Sequence, residues 1–398
     1  MWTSPDGAAP TGRAGPARIA PILLVAAAAL LRPPAAARQI CPTPAQLAAD
    51  LAAASQDDVI SLSGVNPLDC PEVAMTSAWT GGRLIFSDSP EKPATRGKLY
   101  EDTTLGATPS GSHNRVFLYH VNGKTDGTRM KFTALLRNAG SGAGTLTIQK
   151  RGTAGPTTSY LYAGKVALKR WLDSTAAAGI GVPAGATVEI DATFGGTTAA
   201  RDYLLHGIWD YSFDQPHAIT ICALDEGDNA TAVCPGLPVL PRDTHRRGTF
   251  PHADKVYDTA SGQTVETAAG IAQLPIAGGT ADDPYAVGTD MTDGSTQTLA
   301  GNYGVLYRMH LAAASSDGRN LGFLLNPRGG AWGGAVWARP GLTPGGKFLI
   351  PETTTWVAEN TKGAVEGKYA PGGGTTLWLQ LMPTGGASLP LRLVAVPY

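Results

Sequence analysis

The sequence predicts an all-β, mostly antiparallel protein: two β-sandwich-like domains, the first carrying an inserted helix, and a small disulfide-closed cap at the N-terminal end. Three observations lead there. Short alternating apolar segments recur through most of the 398 residues, and a period of two places one face of each segment against a core. The 50 glycines and 30 prolines fall singly or in small clusters between those segments, which marks tight turns rather than disorder. The length exceeds what one ordinary core organises, so two domains are expected.

The first segment reads as an export signal over residues 1–37. Arg13 and Arg18 precede an apolar run at residues 19–31, followed by Pro33, Pro34 and the small residues Ala35, Ala36 and Ala37, the layout of a cleavable leader. The run is short for a bilayer span, and no later segment is long and apolar enough, so no transmembrane segment is expected after cleavage. The expected location is secreted, extracellular or at the cell surface. Four cysteines in an oxidising space favour pairing. Three connectivities are open, and proximity favours Cys41 with Cys70 and Cys222 with Cys234. A four-thiolate zinc site would want close C-x-x-C pairs, and the sequence has none.

Residues 38–86 form the cap. Thr43 and Pro44 open a short helix in "CPTPAQLAADLAAASQDDVISLSG", which turns to a strand at "VISLSG". Residues 87–234 make the first sandwich. "NRVFLYHV" is apolar on both faces, while "MKFTALLRN" and "GTLTIQKRG" alternate. The turn sequences "NGKTDG" and "NAGSGAG" between them suggest a meander of three strands. In "PTTSYLYAGKVALKRWL", Pro156 and the threonines start a helix. Tyr160, Leu161, Gly164, Leu168, Trp171 and Leu172 fall on one face, with Lys165, Lys169 and Arg170 to one side. "ATVEIDATF", "RDYLLHGIWDYSF" and "HAITICAL" return to strands.

Residues 235–255 are Pro-rich with few periodic apolar positions and read as a linker. Residues 256–398 make the second sandwich, with strands at "YGVLYRMHLA", "LGFLLN", "GAVWA", "GKFLIP", "TTLWLQLM" and "LPLRLVAVPY". The alternation of Val305, Tyr307, Met309 and Leu311 puts Arg308 and His310 on the opposite face.

The chemistry is sparser than the architecture. The 31 basic and 32 acidic side chains leave a net charge of -1 with no basic stripe, which argues against nucleic acid as a partner. "NPRGGAWGGAVWARPG" lacks the lysine and the following helix of a phosphate-binding loop. A hairpin between "LGFLLN" and "AVWA" explains its glycines, but not Arg328 and Trp332 inside the turn. There Trp332 would stack on a sugar ring and Arg328 donate to hydroxyls or a carboxylate, with Trp337 either a further contact or core. His206, Asp210, Asp214 and His217 lie close in sequence without helical ligand spacing, so no metal site is assigned. No cofactor is expected, although "ALDEGDNA" and "TADDPYAVGTDMTDGS" carry carboxylates suited to a structural calcium. No G-x-S-x-G elbow occurs. The S-x-x-K letters of "SPEK" contain Pro90 and have no K-T-G partner. Asn302 and Tyr303 echo the processed tyrosine of copper amine oxidases, but Gly304 stands where that motif has an acid, and no H-x-H pair exists.

The stretches "YLYAGKVALKRWL", "GNYGVLYRMHL", "NPRGGAWGGAVW" and "MPTGGASLPLRLVAVPY" resemble an uncharacterised group of secreted bacterial β-rich proteins. Some of that group carry a copper-amine-oxidase-like N-terminal module, which is absent here. The resemblance implies export and no particular activity. The leading expectation is a non-catalytic protein that binds an extracellular polysaccharide or cell-envelope polymer through loops at the sandwich ends. The alternatives are an extracellular polysaccharide hydrolase with an acid pair in an inter-domain cleft, and a surface assembly component.

Overall fold

The strands Asn114–Val121 and Leu204–Phe213 are buried along almost their whole length, as the two apolar faces of "NRVFLYHV" require: such a strand must be covered twice. In the computed structural model, which describes residues 40–56, 58–340, 357 and 359–398 and only the backbone of 337–340, they pair antiparallel at the middle of an eight-stranded sheet. Its order is Ser295–Leu299, Ala286–Asp290, Arg247–Phe250, Leu84–Ser87, Asn114–Val121, Leu204–Phe213, Gly144–Thr157 and Ile180–Val182. All neighbours are antiparallel except Leu84–Ser87 beside Asn114–Val121. The leader expected over residues 1–37 and the expected strand "GKFLIP" lie outside the described residues.

One face of this sheet meets a five-stranded sheet centred on Met130–Asn138, His217–Asp225 and Gly97–Leu105. Between them lies a core of Tyr100, Phe132, Leu136, Trp209, Tyr211, Phe213 and Ile219. The opposite face carries the helix Tyr160–Asp173, whose Ala163, Ala167, Leu168 and Trp171 pack with Phe86, Phe117 and Ile208. Gly152 lets the helix lie close, because a Cβ there would stand 2.6 Å from the Trp171 backbone nitrogen. Lys165, expected at the flank of the helix, is buried with the apolar face.

A second pair of sheets completes the molecule. One contains Val59–Ser61, Lys362–Tyr369, Leu321–Pro327, Leu391–Pro397 and Ala272–Ile276; the other contains Met75–Thr80, Asp254–Thr259, Leu306–Ala314, Thr375–Leu381 and Val336–Pro340. Their inner faces supply Leu274, Tyr307, Leu311, Phe323, Leu379 and Leu393 to the same core that holds Trp171. The cap covers an outer face: Leu47 and Leu51 of the helix Ala45–Ala53 meet Leu324, Val394 and Val396. The Cys41–Cys70 disulfide closes it, while Cys222–Cys234 covers the outer face of the five-stranded sheet with Leu135 and Leu224.

The all-β, mainly antiparallel class therefore holds, but four finer expectations are corrected. The three expected meander strands alternate between sheets, since Met130–Asn138 crosses to the facing sheet and Gly144–Thr157 returns. The stretch read as a linker contains the strand Arg247–Phe250, buried at all four positions between Leu84–Ser87 and Ala286–Asp290. The eight-stranded sheet thus draws on segments assigned to the cap, the linker and both domains, and residues Gln39–Tyr398 form one compact unit. "LGFLLN" and "AVWA" do not make a hairpin: Leu321–Pro327 and Val336–Pro340 lie in different sheets, so the loop between them crosses the sandwich. "ATVEIDATF" divides into a strand Thr187–Glu189 and a helical turn Ala192–Gly195, capped by the Asp191 side chain on Phe194 N.

Candidate functional site: an aromatic groove at the joint of two sheets

Met75–Thr80 is an edge strand, antiparallel to Asp254–Thr259, and the register sets Trp79 directly opposite Lys255. The Lys255 Nζ lies 4.8 Å from the Trp79 ring centroid, a cation–π contact. Lys255 is itself buried and pairs with Asp283 at 2.8 Å; burial lowers its pKa, against the pull of that carboxylate. The loop that follows Arg247–Phe250 brings in Pro251 and His252, and the start of Ala286–Asp290 brings in Tyr285 and Val287. Together with Trp79 they line an open groove of about 260 Å³. Val287 is 54% exposed, an aliphatic side chain left in water on the groove wall. Tyr285 is positioned by Gly279, whose φ of +66° carries no Cβ; one built there would lie 2.5 Å from the tyrosine ring. His252 Nδ1 is buried with no hydrogen-bond partner among the described residues. Two aromatic rings, an imidazole and an aliphatic wall give stacking surface with few polar groups, the composition of a shallow ligand site.

The joint between the eight-stranded sheet and the second pair of sheets holds a polar cluster with two buried carboxylates, the residue types that the acid pair of a cleft hydrolase would need. Arg115 donates to both Asp210 oxygens, at 2.7 and 2.9 Å, and to the carbonyls of Ala253 and Gly304. It also lies 3.1 Å from Asp254 and 4.9 Å from the Trp171 ring centroid. Burial pushes the Asp254 carboxyl up, but Arg115, with help from His113 and Arg308, pulls it well below the usual carboxylate range. Both acids are thus tied to a guanidinium that they share, an arrangement that locks two sheets together.

The residues expected to bind ligand are dispersed. Arg328 is half-exposed, 3.5 Å from the Asn326 Oδ1, and lines open surface depressions with Asn360 and Thr361. Trp332 is 4% exposed and belongs to the large core. Its backbone pairs with Val357 in both directions, at 2.8 and 2.9 Å, so the crossing loop folds its ring inward and offers no free face for stacking. The side chain of Trp337 lies outside the described residues. Trp79, Tyr285 and His252 were not singled out in the sequence; the available signal was a tryptophan in the polar strand "MTSAWT" followed by Gly-Gly.

Most of the residues weighed as metal or calcium ligands have other partners. His206 Nδ1 donates to the Leu118 carbonyl at 2.7 Å, Asp214 accepts from Thr145 N, and His217 Nε2 lies 2.9 Å from the Tyr211 hydroxyl. In "ALDEGDNA", Asp225 pairs with Lys124, Asp228 with Arg96, and Asn229 caps a helical turn. Asp290 and Asp293 of the other acidic stretch face Arg247 and Arg242. No group of three His, Cys, Asp or Glu side chains arranged for a metal occurs among the described residues.

No protein-family model matches the chain, and a search of curated proteins finds no match. Among solved structures, the CUB1-EGF-CUB2 domain of human MASP-1/3 aligns at 10% identity over 76% of this chain and 99% of that one, with a TM-score of 0.18. A likeness at that level carries no argument about fold or function.

Proposed function

We propose that this is a secreted, non-catalytic protein that binds an extracellular or cell-envelope polysaccharide, and that the groove of Trp79, Tyr285 and His252 is its contact surface. The observation that carries the reading is the Trp79 ring, opposed by Lys255 and lining an open groove beside Tyr285. A sugar ring presents an apolar face that stacks on such a surface while its hydroxyls stay in water or reach a nearby imidazole. Export is supported by the two disulfides, by the leader-like residues 1–37 and by the likeness of several stretches to exported bacterial β-rich proteins. Arg328, on open surface with Asn360 and Thr361, would serve as a secondary polar contact for an extended chain.

The test is retention of the mature protein on a panel of soluble and insoluble polysaccharides, read by affinity electrophoresis and pull-down. On the retaining polymer, Trp79→Ala and Tyr285→Ala are each expected to weaken binding by about tenfold or more, the loss of roughly 1.4 kcal/mol of contact. Trp79→Phe should keep part of it. Undiminished retention by both alanine variants would remove the groove from the binding surface, and release of reducing sugar would replace binding by catalysis.

A further inference from the structure

On the other side of Lys255 and Tyr257 lies a second, more enclosed cavity of about 150 Å³, lined by Val73, Met75, Leu274 and Met309, with the tyrosines Tyr257 and Tyr307 on one wall. Its volume is of the order that accommodates a molecule the size of benzene. Its inner polar wall is internally matched. Asp283 accepts from Lys255 Nζ at 2.8 Å, from the Tyr257 hydroxyl at 2.6 Å and from the Tyr307 hydroxyl at 3.1 Å, and its second oxygen accepts from Gly278 N. That end has no net charge to offer.

The mouth differs. Glu72 and Asp282 line it and both are exposed. Arg392 approaches Glu72 only to 3.6 Å, and Asp282 has no ion pair among the described residues. The cavity therefore combines an apolar, thioether- and phenol-lined interior with a negative rim. We propose that it binds a small organic ammonium: an apolar body of about benzene size seated against Met75, Met309 and Leu274, with its cationic head outward between Glu72 and Asp282. The reverse orientation would bury the ammonium against Asp283, whose charge Lys255 already matches at 2.8 Å, so the head would lose water and meet no free counter-charge. This site is distinct from the polysaccharide groove, and none of its lining residues is shared with it.

Three isosteric probes decide the matter by calorimetric titration of the mature full chain: benzylamine, the neutral benzyl alcohol and the anionic benzoate. Benzylamine is expected to bind about threefold to tenfold more tightly than benzyl alcohol, the range two solvent-exposed carboxylates supply, and benzoate more weakly than either. The preference for the amine should shrink as salt is added. The double variant Glu72→Gln/Asp282→Asn changes only exposed side chains and should bring benzylamine down to the affinity of the alcohol. Ala74→Phe, at an exposed position of the lining, should block both. The proposal is overturned if the alcohol binds as well as the amine, if the double variant leaves the amine's advantage intact, if Ala74→Phe leaves binding unchanged, or if no probe saturates.

Discussion

Arg115 and Asp210 face each other across neighbouring strands of the eight-stranded sheet and form a two-pronged ion pair, at 2.7 and 2.9 Å, with the guanidinium fully buried. The pair does more than join two strands. The same guanidinium reaches Asp254 and the carbonyls of Ala253 and Gly304 in segments of the second pair of sheets, so one side chain holds the seam between the two halves of the fold.

Removing either partner should therefore cost far more than a surface ion pair. Arg115→Ala or Asp210→Asn leaves an unmatched buried charge or its desolvated donors, and a loss of about 3–5 kcal/mol is expected. Arg115→Lys should rescue little, because an ammonium cannot satisfy the carboxylate fork and two carbonyls together. Urea unfolding midpoints check both statements; a loss below about 1 kcal/mol would place the pair in the class of exposed ones.

Two buried histidines give the fold an acid limit. Burial lowers His206 to about 4 and His120 to about 3, against an ordinary value near 6.5. His206 is held neutral with Nδ1 donating to Leu118 O; His120 donates to Pro90 O and accepts from Ser87 Oγ. Between pH 6.5 and 4 the unfolded chain binds protons that the folded chain refuses. Stability is thus complete above about pH 6.5 and falls on acidification, with a slope approaching about 2.7 kcal/mol per pH unit for the two sites. Unfolding midpoints at pH 7, 5.5 and 4.5 measure it, and a flat profile down to pH 5 would contradict the burial of these rings.

Trp332 and Trp79 should behave oppositely. Truncating the buried Trp332 to alanine opens a cavity in the large core and should destabilise by about 3–5 kcal/mol. Trp79→Ala, at a half-buried edge position, should leave the thermal midpoint much closer to that of the parent. Differential scanning calorimetry of the two variants side by side gives the comparison.

The two disulfides should also differ in reach. Cys222–Cys234 closes a loop of 12 residues over the outer face of one sheet, and its removal by Cys222→Ser/Cys234→Ser should cost about 2–3 kcal/mol. Loss of Cys41–Cys70 should free the cap helix Ala45–Ala53 first, leaving the sandwiches to unfold in a later transition. Proteolysis near residue 55 under mild reduction, followed by calorimetry of the remainder, would register that order.

Much of the fold was legible because burial on one face writes a period of two. Tyr307, Met309 and Leu311 are buried while Arg308 and His310 are not, and Met130–Asn138 begins and ends where its pattern does. Connections between sheets were less legible, since a turn of glycine and asparagine looks alike whether it closes a hairpin or crosses a sandwich. Arg247–Phe250 escaped notice because only one of its four residues is apolar. Its burial is made possible by Arg247, which meets Asp290 and the carbonyls of Leu99 and Leu240, and by Thr249, which meets Tyr100 and Asp102. Trp332 misled for a related reason: glycines around a tryptophan can as well give its ring room to turn inward.

The placement of Arg247–Phe250 between Leu84–Ser87 and Ala286–Asp290 also governs how the polypeptide can be cut. A fragment ending at residue 234 would keep the whole five-stranded sheet but leave Leu84–Ser87 as a raw margin, with Phe86 stripped of its edge-on neighbour Phe250 and a row of amides seeking partners. Such a fragment should clump on expression, whereas supplying the missing C-terminal portion as a separate polypeptide should restore solubility by completing the sheet in trans.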